Sequence, residues 1–504
     1  MTHHSAGMAQ DQQQPSERSR WIALYVLCAG VLMIVLDVTV VNVALPSIQN
    51  DLGFSTSSLA WVVNAYLISF GGLLLLAGRL GDLLGRRTIL MIGLGVFTAA
   101  SLLCGIASSQ GLLVGARFLQ GVGGAMTSGV ILGMIVTMFP EPAQRAKAIG
   151  VYAFVASAGG SVGLLAGGVL TQSINWHWIF FVNVPIGIVT GALVMRLLEK
   201  DEGIGLGEGA DVPGAVLITG SLMLGVYTIV KPAADYGWGA SRTLGLAALS
   251  LVLLLAFVAR EAIARKPLMP LRILRSRNVT GANLIQVLTV AGMFGMFFLG
   301  SLYMRRVLHY DALEIGLAFL PVTITMGTLS MRYSERLIMR FGARTTLLPG
   351  LALVVVGLVL FAQVPVHGSY LKDVLPTMIL LGTGVGSCFP ALMTIAMSGA
   401  TRSDAGLASG LVNTTAQIGG ALGLAVLATL STSHSNHLIK AGRSTAAALT
   451  SGYHIAFWIA AALVLAAAIV AVTVIQPEAD AKMAKELHCA DDLTGGERAC
   501  SEAA

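Results

Sequence analysis

Charged residues are scarce in this sequence: Asp, Glu, Lys and Arg together make up 11% of the 504 residues, whereas hydrophobic residues make up 55%. Because soluble domains carry about 25% charged residues, this composition excludes a soluble globular protein, and the mean hydropathy of +0.80 agrees. Apolar runs of the length that a helix needs to cross a membrane recur along the chain. They lack the short alternating segments of an outer-membrane barrel. The composition therefore predicts a bundle of transmembrane helices.

Several short motifs are also missing, and each absence excludes a mechanism. The chain has no Gly-Lys dipeptide and hence no Walker-type phosphate loop, so we predict that it does not use ATP. Its nine histidines form no His-Glu-x-x-His motif, and its five cysteines show no metal-type spacing. We therefore predict neither a metal site nor a cofactor. A transporter of this composition would be driven by an ion gradient.

The basic residues predict how the chain is oriented in the membrane. Fourteen apolar runs place both termini on one side, and with that side in the cytoplasm most of the 31 Lys and Arg residues fall in inner segments. By the positive-inside rule, we predict a multi-pass protein of a bacterial cytoplasmic membrane with both termini cytoplasmic. The excess of positive charge then reflects orientation, and no nucleic-acid partner is predicted. The basic residues in the predicted outer loops are Lys231, Arg242, Arg305, Arg306, Lys372, Lys440 and Arg443.

The order of the runs predicts two similar halves with an insertion between them. Residues 1–20 form a cytoplasmic tail, 21–200 a first six-helix half, 201–277 two linker transmembrane helices and a basic cytoplasmic loop, 278–475 a second six-helix half, and 476–504 a polar cytoplasmic tail. An internal repeat of this kind is typical of transporters whose halves rock about a central site.

A short basic loop at positions 78–88, GRLGDLLGRRT, joins two of the apolar runs. Its arginines, Arg86 and Arg87 among them, serve orientation, but orientation requires neither Asp82 nor the glycines Gly78 and Gly85. Glycines let helix ends approach closely, and an acid among arginines can hold a neighbouring helix in one of two positions. We therefore interpret the loop as an inner gate.

The second half contains a degenerate copy of this loop. The sequence GRRT at 85–88 is echoed by GART at 342–345, and Met339 stands where Asp82 stands in the first copy. We therefore expect gating to be mainly a property of the first half.

Two charged residues lie deep inside apolar runs, Asp37 and Arg117. A charge there costs roughly 2.5–3.5 kcal/mol on insertion scales, so an intramembrane ionisable residue is a functional candidate by default. Burial favours the neutral form of a carboxyl group, so such an acid can load a proton on one side and release it on the other. The alternative interpretation is that neighbouring helices hold each charge for structural reasons alone.

Small and polar residues recur at helical spacing in three further runs. Gln120 follows Arg117 on the same face. Asn413 and Gln417 share a face of a late run, and two interpretations stay open for them: lining of a substrate cavity, with Tyr66 among the apolar contacts, or hydrogen bonding between helices. The sequence GGSVG at 159–163 formally matches a nucleophile elbow, but no strand precedes it. There Gly159, Gly163 and Gly167 instead predict a ridge for close helix packing.

Five segments together resemble one family. The loop at 78–88 resembles the signature loop of the major facilitator superfamily. Four other segments resemble the fourteen-span drug:proton antiporters of that superfamily: LDVTVVNVALP at 36–46, RFLQGVG at 117–123, WHWIFFVNVPIG at 176–187 and NTTAQIGGALG at 413–423. The sequence departs from the family pattern at Leu164, where relatives carry a proline, and at His177, where they commonly carry another basic residue.

The resemblance implies an all-α integral membrane protein with the major facilitator fold: two six-helix halves plus two extra central helices, fourteen transmembrane helices in all. It implies a proton-coupled secondary transporter that exports small hydrophobic compounds such as drugs or antibiotics, with Asp37 as proton carrier and Arg117 as its coupling partner. The expected partners are the small-molecule substrate, protons and the lipid bilayer.

Two alternatives to export have less support in the sequence. A proton-coupled importer or metabolite transporter could use the same fold, because fold alone does not fix function. An enzyme is not predicted, because the sequence shows no cluster of catalytic residues.

Overall fold

Helices make up most of the structure. The computed structural model describes residues 17–139, 141–199, 201, 203, 205, 211–264, 267–268, 271–398 and 405–476. The helices of the first half are α1 Glu17–Leu52, α2 Thr56–Leu84, α3 Arg86–Gly105, α4 Gln110–Met138, α5 Pro142–Ser173, α6 Trp178–Phe181 and α7 Asn183–Leu197. The linker contains α8 Val212–Val230, α9 Pro232–Tyr236 and α10 Ser241–Ile263. The second half contains α11 Arg277–Arg306, α12 Ala312–Thr328, α13 Ser334–Phe341, α14 Ala343–Phe361, α15 Leu375–Ser398, α16 Ala405–Lys440 and α17 Thr445–Thr473.

The number of membrane-crossing helices agrees with the predicted fold class. Among the described residues, 12 helices are long and apolar enough to cross a membrane. Two shorter apolar helices, Val162–Ser173 within α5 and Ala312–Thr328, complete the predicted set of fourteen. The predictions for the two polar tails fall almost entirely on residues 1–16 and 477–504, which lie outside the described part of the chain.

Each half packs mainly within itself. In the first half α4 packs on α2 and α3, and α1 packs on α5 and α7. In the second half α11 packs on α16 and α17, and α14 packs on α15. The halves meet chiefly where α5 lies against α12 and where α2 lies against α16. At the predicted outer ends of α5 and α12 the backbones touch, since a Cβ placed on Gly168 would lie 2.9 Å from the carbonyl oxygen of Ala312.

The linker helices attach to both halves through α8. This helix packs on α10, on α2 of the first half and on α16 of the second. Asp211 fixes its beginning: one carboxylate oxygen accepts a hydrogen bond from the N–H of Gly214 at 3.1 Å and another from Nε of Arg260 at 3.0 Å. Arg260 lies near the end of α10, so this ion pair joins the two linker helices on the predicted inner side.

Glycines allow the closest helix contacts. Gly159, Gly163 and Gly167 of α5 lie against α1, and a Cβ on Gly167 would lie 2.9 Å from the Cα and carbonyl oxygen of Val40. A Cβ on Gly163 would overlap the hydroxyl of Thr39. These three residues therefore form a packing ridge, as the sequence predicts.

Candidate functional site

A buried ion pair lies at the centre of the first half. Asp37 sits near the middle of α1 and is 0% exposed, and Arg117 of α4 is 1% exposed. The guanidinium Nη1 of Arg117 donates to Oδ2 of Asp37 at 2.5 Å. The two charges that the sequence places in separate helices therefore compensate each other inside the bundle, as isolated charges in a membrane must.

Two amide side chains complete the coordination of the carboxylate. Gln120, one turn after Arg117 on α4, donates from Nε2 to Oδ1 of Asp37 at 2.7 Å. Asn183 at the beginning of α7 donates from Nδ2 to the same oxygen at 3.0 Å. Three N–H donors thus face one carboxylate, an arrangement that suits its anionic form.

Arg117 has further partners that fix its orientation. Its Nε donates to the carbonyl oxygen of Val62 on α2 at 2.9 Å, and Nη1 also donates to Oε1 of Gln120 at 2.7 Å. The ring of Tyr66 lies 4.5 Å from the guanidinium carbon, which is cation–π distance. Ser101 of α3 accepts a hydrogen bond from Gln120 at 2.7 Å. Helices α1, α2, α3, α4 and α7 therefore meet at one polar centre.

The charges of this centre depend on each other. Protonation of Asp37 would remove the negative charge that compensates Arg117, and a buried charge without a partner is costly. The carboxylate is closed off from solvent in this conformation. A role of this pair in proton coupling stays a prediction.

Sequence reasoning missed three partners at this centre. Ser101, Asn183 and the carbonyl oxygen of Val62 were not predicted. The ring of Tyr66 lies on Arg117, and its contact with substrate stays a prediction. Asn183 carried a usable signal, because it is a lone amide in an apolar run of the 176–187 segment. A backbone carbonyl carries no signal in the sequence at all.

The prediction of a loop over 78–88 is wrong in its extent, because α2 continues to Leu84 and α3 begins at Arg86, so that Gly85 alone connects the two helices. Gly85 has φ 93° and ψ 130° and ends α2 just before α3 begins. Asp82 and Arg86, four residues apart, form an ion pair at 3.1 Å, and Nη1 of Arg86 donates to the carbonyl oxygen of Gly133 on α4 at 2.9 Å. A Cβ on Gly78 would lie 3.4 Å from the carbonyl oxygen of Gly129, so α2 and α4 approach closely here.

Arg87 and a residue that the sequence did not single out complete this loop. Nη2 of Arg87 donates to the carbonyl oxygen of Met195 near the end of α7 at 2.7 Å. The carboxylate of Asp201, from the segment after α7, accepts hydrogen bonds from the N–H groups of Arg86 at 2.6 Å and Arg87 at 3.0 Å. The loop is thereby connected to α4, α7 and the linker.

The corresponding loop of the second half has the same turn. Gly342 has φ 85° and ψ 156°, and Arg344 donates to the carbonyl oxygens of Ala471 at 3.2 Å and Val472 at 2.6 Å, near the end of α17. Met339, which replaces the acid of the first loop, is 82% exposed. The second loop therefore keeps the turn glycine and two arginines of the first loop, with Arg336 and Arg344 at the positions of Arg79 and Arg87, but not its acid.

The late polar stripe lies where α16 meets α2. Gln417 lies against Gly71 of α2, since a Cβ there would be 2.6 Å from Cβ of Gln417. Asn413, one turn earlier, is exposed. The contact of Gln417 fits helix packing and the exposure of Asn413 fits cavity lining, so substrate contact by this stripe stays a prediction.

The described residues contain no group of three His, Cys, Asp or Glu side chains that could hold a metal ion.

Comparison with known proteins agrees with this architecture. Residues 27–424 match the family model described as Major Facilitator Superfamily. The puromycin resistance protein pur8 of Streptomyces alboniger is 38% identical over 475 residues, which cover 93% of this chain and 94% of that protein. The cephamycin export protein CmcT of Amycolatopsis lactamdurans is 38% identical over 410 residues, which cover 81% of this chain and 84% of that protein.

A solved structure shows the same fold. The crystal structure of a bacterial homologue of the human lysosomal transporter Spinster, inward-facing and unoccupied, superposes with a TM-score of 0.66 at 17% identity. The match covers 92% of this chain and 100% of that one. At this identity the likeness concerns the fold alone.

Proposed function

The chain belongs to the major facilitator superfamily, and we propose that it is a proton-coupled secondary transporter that exports small, largely hydrophobic antibiotic-like compounds. Two relatives, each 38% identical, are by name a puromycin resistance protein and a cephamycin export protein. Their names support antibiotics or related drugs as the substrate class. Because the relatives are transporters, an enzymatic activity is not proposed.

The buried pair of Asp37 and Arg117 is the observation that carries the proposal. In this conformation the carboxylate is an acceptor for Arg117, Gln120 and Asn183 and has no access to solvent. When the site opens to the outside, a proton binds Asp37, and the ion pair with Arg117 is lost because the neutral acid no longer compensates the charge of the guanidinium. When the site opens to the inside, Asp37 releases the proton and forms the ion pair with Arg117 again.

The proton gradient then supplies the energy for export. One proton entering the cell releases about 2.3 kcal/mol per 100 mV of membrane potential and about 1.36 kcal/mol per pH unit. The loop at 78–88 acts as the inner gate, since Arg86 and Arg87 connect it to α4 and α7. Transport needs neither ATP nor nucleic acid.

The location is inferred from the distribution of the basic residues. The protein crosses a membrane many times, and we place it in the cytoplasmic membrane of a bacterium with both termini inside. That is the side on which most basic residues lie. The small-molecule substrate enters from the cytoplasm or the inner leaflet and leaves on the outer side.

The proposal is tested in proteoliposomes that contain the purified full chain and a pH-sensitive dye in the lumen. Addition of puromycin or a cephamycin to the parent protein is expected to move protons in the direction opposite to the compound. The Asp37→Asn variant keeps the size of the side chain and is expected to lose gradient-driven accumulation while still exchanging compound down its gradient. Asp235→Asn, which removes an exposed carboxylate of α9, is the matched control and should transport like the parent.

Two outcomes would contradict the proposal. Full gradient-driven transport by Asp37→Asn would show that the proton binds elsewhere. Proton movement in the same direction as the compound would identify an importer that uses the same fold.

A further inference from the structure

We propose that Asp201 is a positioning residue of the inner gate, which holds the beginning of α3 and the linker in register with the loop at 78–88. This inference rests on the proposed gating role of that loop. Neither the repeat nor the sequence motifs indicated Asp201, because it lies in the segment between the first half and the linker helices.

The geometry is that of a helix cap supplied from a distant part of the chain. Oδ2 of Asp201 accepts from the N–H of Arg86 at 2.6 Å and Oδ1 accepts from the N–H of Arg87 at 3.0 Å. These are the first two residues of α3, and the N-cap residue itself, Gly85, has no side chain to serve them. One carboxylate therefore pairs two backbone donors that a helix leaves unsatisfied at its beginning.

The local charges favour an anion at this position. The N-terminus of a helix carries about half a positive charge, and the first turn of α3 contains no acidic residue of its own. The guanidinium groups of Arg86 and Arg87 add two positive charges to the same turn. Asp201 is the described carboxylate that bonds to this turn's backbone, while Asp82 pairs with the side chain of Arg86.

The segment around Asp201 lies across the loop as well as capping the helix. The N–H of Gly205 donates to the carbonyl oxygen of Leu83 at 3.1 Å. A Cβ on Gly203 would lie 2.7 Å from the backbone nitrogen of Gly85, and a Cβ on Gly85 would overlap the carbonyl oxygen of Asp201. Both glycines are therefore needed for this close approach, which joins the segment to the end of α2 and the beginning of α3.

These contacts connect the gate to moving parts of the transporter. Arg86 and Arg87 extend from the capped turn to α4 and α7, so the position of the turn decides whether both side chains reach their carbonyl partners. The same segment continues into α8, which packs on α2 of one half and α16 of the other.

The test measures the conformational equilibrium directly, without substrate or gradient. Spin labels at Glu141→Cys and Met339→Cys, exposed positions on the predicted inner side of the two halves, report the opening between them in lipid nanodiscs. The background carries Cys489→Ser and Cys500→Ser, and the three remaining cysteines are buried. Asp201→Ala is expected to change the ratio of inner-open to inner-closed molecules by about fivefold, which corresponds to about 1 kcal/mol for a lost helix cap.

Three further variants separate positioning from simple stabilisation. Asp201→Asn keeps one acceptor oxygen but loses the second one and the negative charge, so it should still shift the ratio measurably, although less than Asp201→Ala. Ser55→Ala removes the cap of α2 on the opposite side of the membrane, where Ser55 accepts from the N–H of Ser58 at 3.0 Å, and should lower the melting temperature without shifting the ratio. Glu199→Gln, an exposed carboxylate two residues before Asp201, should change neither.

Two results would overturn the inference. A parent-like distance distribution for Asp201→Ala together with a lowered melting temperature would make Asp201 a cap and nothing more. If Asp201→Ala fails to fold, a parent-like distribution for Asp201→Asn leads to the same conclusion. Either result leaves the proton-coupling test on Asp37 untouched, so the two proposals fail independently.

Discussion

The loops of the two halves share a glycine turn and an arginine that forms a hydrogen bond with a distant helix. Gly85 and Gly342 both have positive φ, 93° and 85°, a region that favours glycine. Two residues later, Arg87 and Arg344 each donate to carbonyl oxygens near the end of the last helix of their own half. These shared features hold α3 against α7 in the first half and α14 against α17 in the second.

The loops differ in the contacts that surround this shared part. In the first half Asp82 pairs with Arg86, and Asp201 caps α3. In the second half Met339 and Ala343 stand at the positions of Asp82 and Arg86, and Met339 is mostly exposed. The charged contacts of the described loops are thus confined to the first half, and under the proposed gating role they would serve switching whereas the shared contacts serve the scaffold.

The buried polar side chains described in the two halves also differ in charge: the first half has charged ones and the second does not. The first half buries a carboxylate and a guanidinium, Asp37 and Arg117. The buried polar side chains described in the second half are neutral: Asn283, for example, accepts from the hydroxyl of Thr415 at 2.8 Å and donates to the carbonyl oxygen of Val279. One half thus buries an ion pair, whereas the buried polar side chains described in the other half are amides and hydroxyls.

The largest effect is expected from breaking the buried pair in one partner. Arg117→Met leaves the carboxylate of Asp37 buried without its counter-charge, which costs about 3–5 kcal/mol. The double variant Asp37→Asn with Arg117→Met should recover much of that loss. Asn283→Ala, the second-half comparison, removes two neutral hydrogen bonds and should cost about 2 kcal/mol. Unfolding of the purified proteins in denaturant measures all of these; equal losses for Arg117→Met and Asn283→Ala would contradict the contrast between the halves.

A smaller effect is expected at the gate loops. Gly85→Val places a β-branched residue at positive φ, a strain of roughly 1–3 kcal/mol, and directs its Cβ at the main chain of Asp201. Asp82→Asn removes the ion pair with Arg86. Both variants should slow switching between inward- and outward-facing states, Gly85→Val by about tenfold, while substrate binding is retained because the loop lies away from the middle of the membrane.

Met339→Asn is the matched control for Asp82→Asn, because it changes the corresponding position of the second loop. It should leave the switching rate unchanged, since the Met339 side chain is 82% exposed. The rate is measured with fluorescent labels on the inner ends of the two halves, and binding is measured in parallel by calorimetry. Loss of binding with an unchanged rate would place these loop residues in the substrate site instead.

Much of the fold was predictable because one signal dominates it. Helices that cross a membrane need long apolar runs, and their number and order follow from reading those runs along the chain. The buried charges Asp37 and Arg117 were also visible, since a charge in such a run stands out. The repeat of GRRT and GART located both loops, and the structure shows the same glycine turn in each.

The remaining parts of the site depend on contacts between distant segments. Asn183 reaches Asp37 only because α7 packs on α1, and Asp201 reaches α3 only because the segment after α7 turns back across the loop. Val62 contributes a carbonyl oxygen, which any residue type would supply. The contact of the Tyr66 ring with Arg117 could not be predicted either, because an aromatic residue in an apolar run gives no sign of which charge its ring will cover.

The smallest effect is expected at the arginines common to both loops, Arg87 and Arg344. Replacing them tests whether they only stabilise the fold or also affect switching. Arg87→Gln and Arg344→Gln each remove a guanidinium that donates to carbonyl oxygens of a sixth helix, so each should cost roughly 0.5–1.5 kcal/mol. The two losses should be similar and, because the sites share no partner, additive in the double variant. Arg196→Gln, an exposed arginine in the last turn of α7, is the control and should have no measurable effect.

Melting temperatures of the purified proteins give the stabilities, and the labelled proteins give the switching rates. Similar stability losses with parent-like switching are expected for both arginines; a switching defect confined to Arg87→Gln would show that even the contact common to both loops has become part of the gate in the first half.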